Sequence, residues 1–277
     1  MAGSRDIMQG TLLPGATTRS PGLLEVDEPA PFEIVNADGE SSAILVCDHA
    51  SNRIPRCLGT LGLSQDALLS HIAWDPGAAQ VARRLSELLD ATLVLSAYSR
   101  LVIDCNRPTD SPESIPEWIG GVAIPGNQAL SADDRARRRQ ALFDPYHGVI
   151  GKVIDARAGR ANLLLSIHSF TAELDGQRRP WSVSLSYGRD ARLALTLRDV
   201  LARSGEFLVG ENQPYSVDDS TDYTIPIHGE ARGCPHVLIE IRQDLLTTRA
   251  DAAQWAQRLA NAYRLVEPAA LRHAHGA

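Results

Sequence analysis

The sequence predicts an α/β protein: a three-layer α/β/α domain with a mostly parallel or mixed central sheet. Short apolar segments of strand length alternate along the chain with longer amphipathic segments of helix length, which is typical of βαβ units. The apolar segments are nearly continuous, as expected for strands that helices cover on both faces. The chain has 277 residues, of which 44% are hydrophobic, so it is long enough to bury a large core.

The chain is predicted to consist of a flexible arm and one domain. Residues 1–30 are rich in Gly, Pro, Thr and Ser and lack hydrophobic periodicity, which is typical of an arm outside the core. Residues 31–277 are predicted to form a single domain, because no internal repeat or low-complexity tract divides them. The Pro- and Gly-rich segment 108–127 is interpreted as an active-site loop rather than a linker.

The sequence of the first half of the domain predicts two or three strands and two helices. The apolar run "SAILVCD", residues 42–48, has the length of a strand, and the amphipathic segment 76–90 has the pattern of a helix. Segment 91–104 fits either one long strand or two short ones. A helix is predicted from residue 132 to about residue 156, with an interruption at Pro145, because proline lacks the N–H that a helix interior needs.

The second half continues the alternation of strands and helices. Strands are predicted over 162–170 and 181–188, followed by a helix over 190–205. The last strand is predicted over 235–243 and the closing helix over 251–266. Helices between strands favour crossover connections, and these place helices on both faces of the sheet.

Composition and charge exclude several classes of function. The formal net charge of -7 argues against nucleic-acid binding, which needs a basic surface. No run of about 18 apolar residues occurs, so we expect neither a membrane span nor a membrane partner. The first residues lack the apolar core of a signal peptide, and the four cysteines lack C-x-x-C spacing, which together predict a cytoplasmic protein with reduced thiols. The sequence does not constrain the oligomeric state.

Two histidines lie where predicted strands end. His49 follows the run "AILVCD", and His168 lies in "LLLSIHSF". A single histidine in such a place is more often a core or turn residue, but two on separate strands favour a shared site. Ligands bind beyond the carboxyl ends of strands in open α/β sheets, and a catalytic zinc needs only three protein ligands. The pattern indicates a Zn²⁺ site for which a third ligand is required.

Asp75 is the candidate for this third ligand. It opens the helix that follows the His49 strand, so its carboxylate could reach the same edge of the sheet. The alternative is structural, because Asp at the N-cap followed by Pro76 at the first helical position is an ordinary helix start.

A second group of polar residues follows segment 91–104. Asn106 and Arg107 precede Pro108, which holds the preceding residue extended. The planar guanidinium of Arg107 presents a fork of donors that suits a carboxylate. The alternative for Arg107 is a salt bridge to Asp104 or Asp110.

Glu240 and Arg242 lie in the last predicted strand. They are two residues apart and therefore share one face of the sheet. A structural ion pair would account for both. An acidic side chain in an otherwise apolar strand is costly to bury unless it is paired or bound to a metal, so Glu240 is also a candidate general base.

The ordered set of motifs resembles the N-formylglutamate amidohydrolase family, whose fold is related to zinc carboxypeptidases and aspartoacylase-type deacylases. The resemblance covers roughly residues 40–250 and implies hydrolysis of an N-acyl amide to give an amino acid. It rests on six segments: "DHASNRIP", "HIAWDPGA", "YSRLVIDCNRP", "LSIHSF", "STDYTIPIHGEARG" and "HVLIEIRQDL".

The resemblance implies roles for individual residues. His49 and His168 match zinc-binding histidines, Glu240 matches the base, and Asn106 and Arg107 match an Asn-Arg pair that binds the substrate carboxylate. Arg242, which shares a strand face with Glu240, is a further candidate for that anion.

The sequence departs from the related enzymes at two places. The related carboxypeptidases have a His-x-x-Glu pair, whereas the third residue after His49 is Asn52, a poor zinc ligand. We expect Asp75 to replace the missing acid. The histidine-degradation deformylases also tend to have Pro before this histidine and Gly shortly after it, where this chain has Asp48 and Ala50.

The expected function is that of a zinc-dependent amidohydrolase. Its partner would be a small molecule, an N-acyl amino acid such as N-formyl-L-glutamate, cleaved to the free amino acid and formate. Two alternatives stay open. One is an amide hydrolase of the same fold that acts on another N-acyl amino acid or a peptide. The other is a non-catalytic carboxylate-binding protein without a competent metal site.

Overall fold

The computed structural model describes residues 22–274, which form one seven-stranded sheet, two short hairpins and six α-helices. The strands are β1 (Phe32–Val35), β2 (Ala43–Cys47), β3 (Thr92–Ser96), β4 (Trp118–Ile119), β5 (Val122–Ala123), β6 (Leu163–Phe170), β7 (Glu173–Leu174), β8 (Gln177–Arg178), β9 (Val183–Ser186), β10 (Val209–Glu211) and β11 (His236–Arg242). The helices are α1 (Gln65–Leu69), α2 (Ala78–Leu89), α3 (Ala132–Arg138), α4 (Asp144–Asp155), α5 (Arg192–Ala202) and α6 (Arg249–Ala274).

The large sheet is mixed, as predicted. Its strand order is β1-β3-β2-β6-β11-β9-β10. The four neighbours β3, β2, β6 and β11 are parallel to one another, while β1 is antiparallel to β3 and β9 is antiparallel to β11. The carboxyl ends of β2, β6 and β11 therefore meet at one edge of the sheet.

Helices cover both faces of the sheet, so the three-layer prediction is confirmed. Helices α2, α5 and α6 pack against one face, where Leu85 and Trp255 join the largest apolar cluster. Helix α4 covers the opposite face through Tyr146 and Ile150. Every residue of β2, β3, β6 and β9 is buried, which explains why these strands are apolar without alternation. No helix within residues 22–274 is long and apolar enough to cross a membrane.

Segment 91–104 contains one strand rather than two. Strand β3 ends at Ser96, and the apolar residues that follow form turns. Backbone hydrogen bonds hold these turns to other loops: the Ser99 N–H donates to the Arg53 carbonyl at 2.8 Å, and the Asp104 N–H donates to the Ser114 carbonyl at 2.7 Å. Apolar side chains in this stretch are buried under loops, so hydrophobicity alone did not distinguish it from a strand.

The interruption predicted at Pro145 is present as a wide helical turn. Helix α3 ends at Arg138, a π-helical turn spans Arg139–Phe143, and α4 begins at Asp144. Pro145 lies in the first turn of α4, directly after this π-helical turn.

Part of the segment that was predicted to be an N-terminal arm packs on the domain. Leu23 and Leu24 are buried in a cluster with Leu61 and Leu101, so the segment 22–30 packs on the domain. The remainder of the predicted arm, residues 1–21, lies outside the described residues. Two adjacent leucines anchor this segment, but it forms no helix or strand. It therefore has no hydrophobic periodicity, and this is why the sequence favoured an arm.

A buried pair of histidines connects α4 to the π-helical turn Ile225–Gly229. His147 Nδ1 lies 3.0 Å from His228 Nε2, and His147 Nε2 lies 2.7 Å from the Cys105 carbonyl. His147 must donate a hydrogen bond through Nε2 to that carbonyl. Its Nδ1 therefore accepts a hydrogen bond from the N–H at His228 Nε2. Burial lowers the pKa of His147 to about 4 and the pKa of His228 to about 3.

This pair predicts acid sensitivity of the fold. Both histidines have a folded pKa below their ordinary value of 6.5, so the unfolded state binds more protons at acid pH. The stability that the neutral pair contributes is present above pH 6.5 and is lost as the pH falls through about 4 to 3. Urea unfolding at a series of pH values from neutral to acid measures this effect. The free energy of unfolding should fall less steeply with pH for His228→Gln than for the wild type. Parallel curves for the two proteins would show that His228 does not titrate on unfolding.

Candidate metal centre

Three buried side chains with metal-binding atoms converge at the carboxyl edge of the sheet. His49 follows β2, His168 lies near the end of β6, and Asp75 lies three residues before α2. One donor atom from each lies within 4.8 Å of the others. All three residues are at most 4% exposed. Together they form a candidate metal centre.

Asp75 does not cap α2, because the chain turns once more before that helix begins. Gly77 is the N-cap residue of α2 and has φ of 85°, and a Cβ there would lie 2.4 Å from the Leu246 side chain. The Asp75 carboxylate is therefore free to face the histidines. Its Oδ2 lies 2.9 Å from His168 Nδ1 and 3.4 Å from His49 Nδ1.

Each histidine contacts a second carboxylate through its other ring nitrogen. His49 Nε2 lies 2.7 Å from Asp104 Oδ1, and His168 Nε2 lies 3.0 Å from Asp48 Oδ2. A carboxylate behind a histidine fixes the tautomer and the ring orientation, as it does for histidines that bind metals. Both rings consequently direct Nδ1 towards Asp75.

Asp48 is the hub of the polar network beneath His168. Three hydroxyls surround its carboxylate: Tyr146 at 2.9 Å, Thr224 at 2.7 Å and Ser166 at 3.1 Å. Burial alone would raise the pKa of Asp48, but the hydrogen bond and the charge of His168 outweigh it and lower that pKa. Burial likewise opposes the charged form of His168, but its bonds to Asp48 and Asp75 raise its pKa well above the usual value. The network keeps a negative charge behind the imidazole.

Arg100 places a positive charge beside this cluster. Its Nη2 and Nε donate to Asp104 Oδ2 at 2.7 and 3.0 Å, and its Nη1 lies 3.6 Å from Asp75 Oδ1. The side chain is 16% exposed. Burial raises the pKa of Asp104, but the charges of Arg100 and His49 hold it well below the usual range.

Glu240 lies next to His168 on the neighbouring strand. The two residues are paired in register between β11 and β6, so both side chains project from the same face. Glu240 Oε2 is buried and has no hydrogen-bond partner among the described residues. Burial raises the pKa of Glu240 to about 7, with a further contribution from the negative charge of Asp75. The alternative of a structural ion pair between Glu240 and Arg242 has no support, because Arg242 pairs with Asp244 and no contact joins it to Glu240.

The structure does not bring Asn106 and Arg107 into contact with the His49, Asp75 and His168 cluster. The Asn106 amide donates to Asp222 at 2.9 Å, and its oxygen accepts from the backbone N–H of Thr224 at 3.0 Å. Arg107 pairs with Glu113 at 3.1 Å and donates to the Thr221 carbonyl at 2.7 Å. Both side chains thus hold the segment before the π-helical turn, and neither has the free pair of donors that the sequence analysis expected for a carboxylate.

Arg242 is also engaged within the protein. Its Nε donates to Asp244 at 2.8 Å, and its Nη1 lies 3.2 Å from the carbonyls of both Arg179 and Pro180. The side chain therefore fastens the loop before β9 to the end of β11. Its predicted role in substrate binding has no support from these contacts.

Sequence reasoning missed Asp48, Asp104 and Arg100 as members of the site. Asp48 directly precedes His49 in an apolar run, and a buried acid in that position was the available indication. Asp104 was considered only as a partner of Arg107. No spacing rule identifies an acid that lies behind a histidine from a distant part of the chain.

Comparison with known proteins gives a family match and two similar structures. The sequence model of the N-formylglutamate amidohydrolase family matches residues 41–247. A gene product from Agrobacterium tumefaciens is 38% identical, with a TM-score of 0.84 over 89% of this chain and 100% of that one. An N-formylglutamate amidohydrolase from Ralstonia eutropha is 19% identical, with a TM-score of 0.62 over 88% of this chain and 99% of that one. No curated protein matches.

Proposed function

This chain belongs to the N-formylglutamate amidohydrolase family, which hydrolyses amide bonds, and on that premise we propose that it is a zinc-dependent deformylase of N-formyl amino acids. The proposed substrate is N-formyl-L-glutamate, and the products are L-glutamate and formate. The main support is the convergence of two imidazoles and one carboxylate on a single point at the edge of the sheet.

The donor set fits a catalytic zinc. Two histidine nitrogens and one carboxylate oxygen are a known set of ligands for catalytic zinc, and they leave a fourth position open. His49 and His168 would bind through Nδ1, because their Nε2 atoms face Asp104 and Asp48. When bound, zinc supplies a Lewis acid that polarises the formyl carbonyl and makes water easier to deprotonate at neutral pH.

Glu240 is the proposed proton carrier. Its Oε2 accepts a proton from the water whose oxygen attacks the formyl carbon. The same proton then passes from Glu240 to the amide nitrogen as the C–N bond breaks, which releases formate and the free amine. A carboxyl group with a pKa of about 7 can take up and release a proton at neutral pH, as general acid–base catalysis requires.

Arg100 is the proposed source of positive charge for the reaction. Its guanidinium is held by Asp104 and lies next to Asp75, so its position is fixed before substrate arrives. A fixed positive charge in a buried site stabilises the negative charge that develops on the carbonyl oxygen.

The alternative of a binding protein without a metal is disfavoured by Asp75. That alternative depended on the lack of an acid three residues after His49. Asp75 supplies a carboxylate 2.9 Å from His168 Nδ1, so the donor set has three members.

The test is hydrolysis by metal-reconstituted protein. The protein is stripped with a chelator and reloaded with Zn²⁺, and formate and primary amine are measured separately with N-formyl-L-glutamate and N-acetyl-L-glutamate. The proposal predicts zinc-dependent release of both products from the formyl compound. Release from the acetyl compound alone would show that the protein hydrolyses another class of N-acyl amino acid. No release from either compound would contradict the proposal.

Asp48→Asn should weaken zinc binding without removing a zinc ligand. Asparagine carries no negative charge and has only one acceptor oxygen, whereas both Asp48 oxygens accept hydrogen bonds, so the ring loses the carboxylate that orients it. Loss of such a partner typically costs roughly 10- to 100-fold in metal affinity. Competition with a chelator of known affinity measures this change, and Asp66→Asn provides an exposed control. Unchanged zinc affinity in a folded Asp48→Asn protein would contradict the role of Asp48.

A further inference from the structure

Arg179 is a buried arginine without an acidic partner in the described part of the chain. It is 8% exposed, and its guanidinium donates to two hydroxyls, Thr171 Oγ1 at 3.0 Å and Tyr215 OH at 3.0 Å. The rings of Phe170 and Tyr215 lie beside it, with centroids 5.9 and 5.0 Å from the guanidinium carbon. Hydroxyls and aromatic rings do not neutralise a full positive charge.

Several other arginines differ from Arg179 in the groups that their guanidinium contacts. Arg100, Arg107 and Arg242 each pair with a carboxylate at 3.1 Å or less. Arg138 is buried without a close acid, but it donates to two backbone carbonyls and to the side-chain carbonyl of Asn127. Burying a charge costs free energy unless the charge is paired, so an anion bound beside Arg179 would lower the cost of burying its guanidinium.

The position of Arg179 relates it to the candidate centre. Phe170 lies two residues after His168 on the same face of β6, which separates them by roughly 7 Å along the strand. Arg179 contacts both Phe170 and the next residue, Thr171, so it lies just beyond the His168 end of the site. Tyr215, which is 47% exposed, contacts its other side and borders solvent.

The backbone around Arg179 is fixed rather than loose. The Arg179 N–H donates to the Ala172 carbonyl at 2.8 Å, which closes the β7–β8 hairpin. Its carbonyl accepts from Arg242 Nη1 at 3.2 Å, so the strand that carries Glu240 also holds Arg179 in place.

We infer that Arg179 binds a carboxylate of the N-acyl amino acid substrate. The inference rests on the proposed function, because it takes the cluster of His49, Asp75 and His168 as the point of amide cleavage. The inference places the amide of an N-formyl amino acid at that cluster and one of its carboxylates beside the end of β6, next to Arg179. A planar guanidinium can then form two parallel hydrogen bonds to a carboxylate.

The first test measures binding without turnover. L-Glutamate, the product, is titrated calorimetrically into the zinc-loaded wild type, Arg179→Met and Arg178→Met. Arg178 is the adjacent, exposed arginine and serves as the matched control. Loss of a charge-assisted pair should weaken binding by roughly 10- to 100-fold in Arg179→Met, with no change in Arg178→Met.

The second test asks which carboxylate is bound. N-formyl-L-glutamate is compared with N-formyl-L-norvaline, which lacks the side-chain carboxylate, and with N-formyl-L-isoglutamine, which lacks the α-carboxylate. Arg179→Met should lower kcat/KM for the diacid by roughly 10- to 100-fold and leave one of the two analogues nearly unaffected. The analogue that is unaffected lacks the carboxylate that Arg179 binds. Arg179→Lys, which keeps the charge but not the fork, should lose less and serves if the methionine variant does not fold.

The outcomes separate the inference from the proposed function. Equal losses on all three substrates, or unchanged binding of L-glutamate in both Arg179 variants, would overturn the role of Arg179 even if hydrolysis is present. A loss selective for acidic compounds in Arg107→Met instead of Arg179→Met would assign the carboxylate to Arg107 and also overturn the inference. Binding of L-glutamate that depends on Arg179, without hydrolysis of any formyl compound, would support the inference and refute the deformylase proposal.

Discussion

Glu240→Gln should retain zinc and fold but lose turnover by roughly 100- to 10,000-fold, the range associated with general acid–base groups. Glutamine has nearly the same shape as glutamate, so packing around β11 is kept. Its amide cannot accept the proton of the attacking water or deliver it to the leaving nitrogen. The buried Oε2 of Glu240 has no hydrogen-bond partner in the described chain, so no internal contact is lost with the charge.

The measurement pairs bound zinc with rate on the same samples. Glu87→Gln makes the same chemical change on the exposed side of α2, where Glu87 pairs with Arg84, and should behave as the wild type. If Glu240→Gln keeps both its zinc and its turnover, Glu240 has no part in proton transfer. If it loses zinc, its effect on rate belongs to the metal site.

Glu240→Gln should also change how the metal-free protein responds to pH. The folded pKa of Glu240, about 7, is raised above the ordinary value of 4.5, so the neutral acid is favoured in the folded state. Its contribution to stability is present below pH 4.5 and is lost as the pH rises through about 7. Urea unfolding of the chelator-treated proteins should therefore show a smaller decrease in the free energy of unfolding, from acid to neutral pH, in the variant than in the wild type. This change would be seen even if Glu240 had no catalytic role.

Asp75→Ala should abolish both zinc binding and activity. Two imidazoles remain after the change, and they lack the anionic donor that lies between them. The loss of zinc affinity should exceed the roughly 100-fold upper range for partners outside the ligand set. Asp75 has no capping role in α2, so the helix should persist.

Thermal unfolding distinguishes this loss from misfolding. Zinc that binds only the native state raises Tm, and the shift grows with the free metal concentration. We expect a zinc-dependent shift for the wild type and for Asp66→Ala, an exposed control, and none for Asp75→Ala. A normal zinc-dependent shift in Asp75→Ala would remove this residue from the proposed ligand set.

Much of the candidate centre could be predicted because the relevant residues interrupt apolar patterns. His49, His168 and Glu240 each lie in or directly after a run of apolar residues, where a polar side chain needs a reason to be buried. Parallel strands bring their carboxyl ends to one edge, so three such interruptions predict one site. The ligand and base roles of these residues stay predictions until metal and turnover are measured.

The supporting residues could not be predicted in the same way. The bond between Asp48 and His168 joins residues that are 120 positions apart, and the bond between Asp104 and His49 spans 55 positions. These contacts depend on which strands are neighbours and on how each loop leaves the sheet. Arg179 gave no pattern at all, since its isolation from acids is a property of the folded surroundings.

The prediction for Asn106 and Arg107 depended on a strand that the structure does not contain. With turns in place of that strand, both residues face the segment that leads to the π-helical turn rather than the centre. Asn106 nonetheless has an indirect connection to it, because the amide fixes the backbone of Thr224, and the Thr224 hydroxyl donates to Asp48.

The spacing of the three proposed ligands determines when a metal can bind during folding. Asp75 is 26 residues from His49 and 93 residues from His168, whereas a His-x-x-Glu pair places two ligands within one short segment. Closing loops of this length costs conformational entropy, so the unfolded chain presents no preassembled chelate. The three donors come together only once β6 has paired with β2. Zinc should therefore slow unfolding of this protein while leaving the early steps of its folding unchanged.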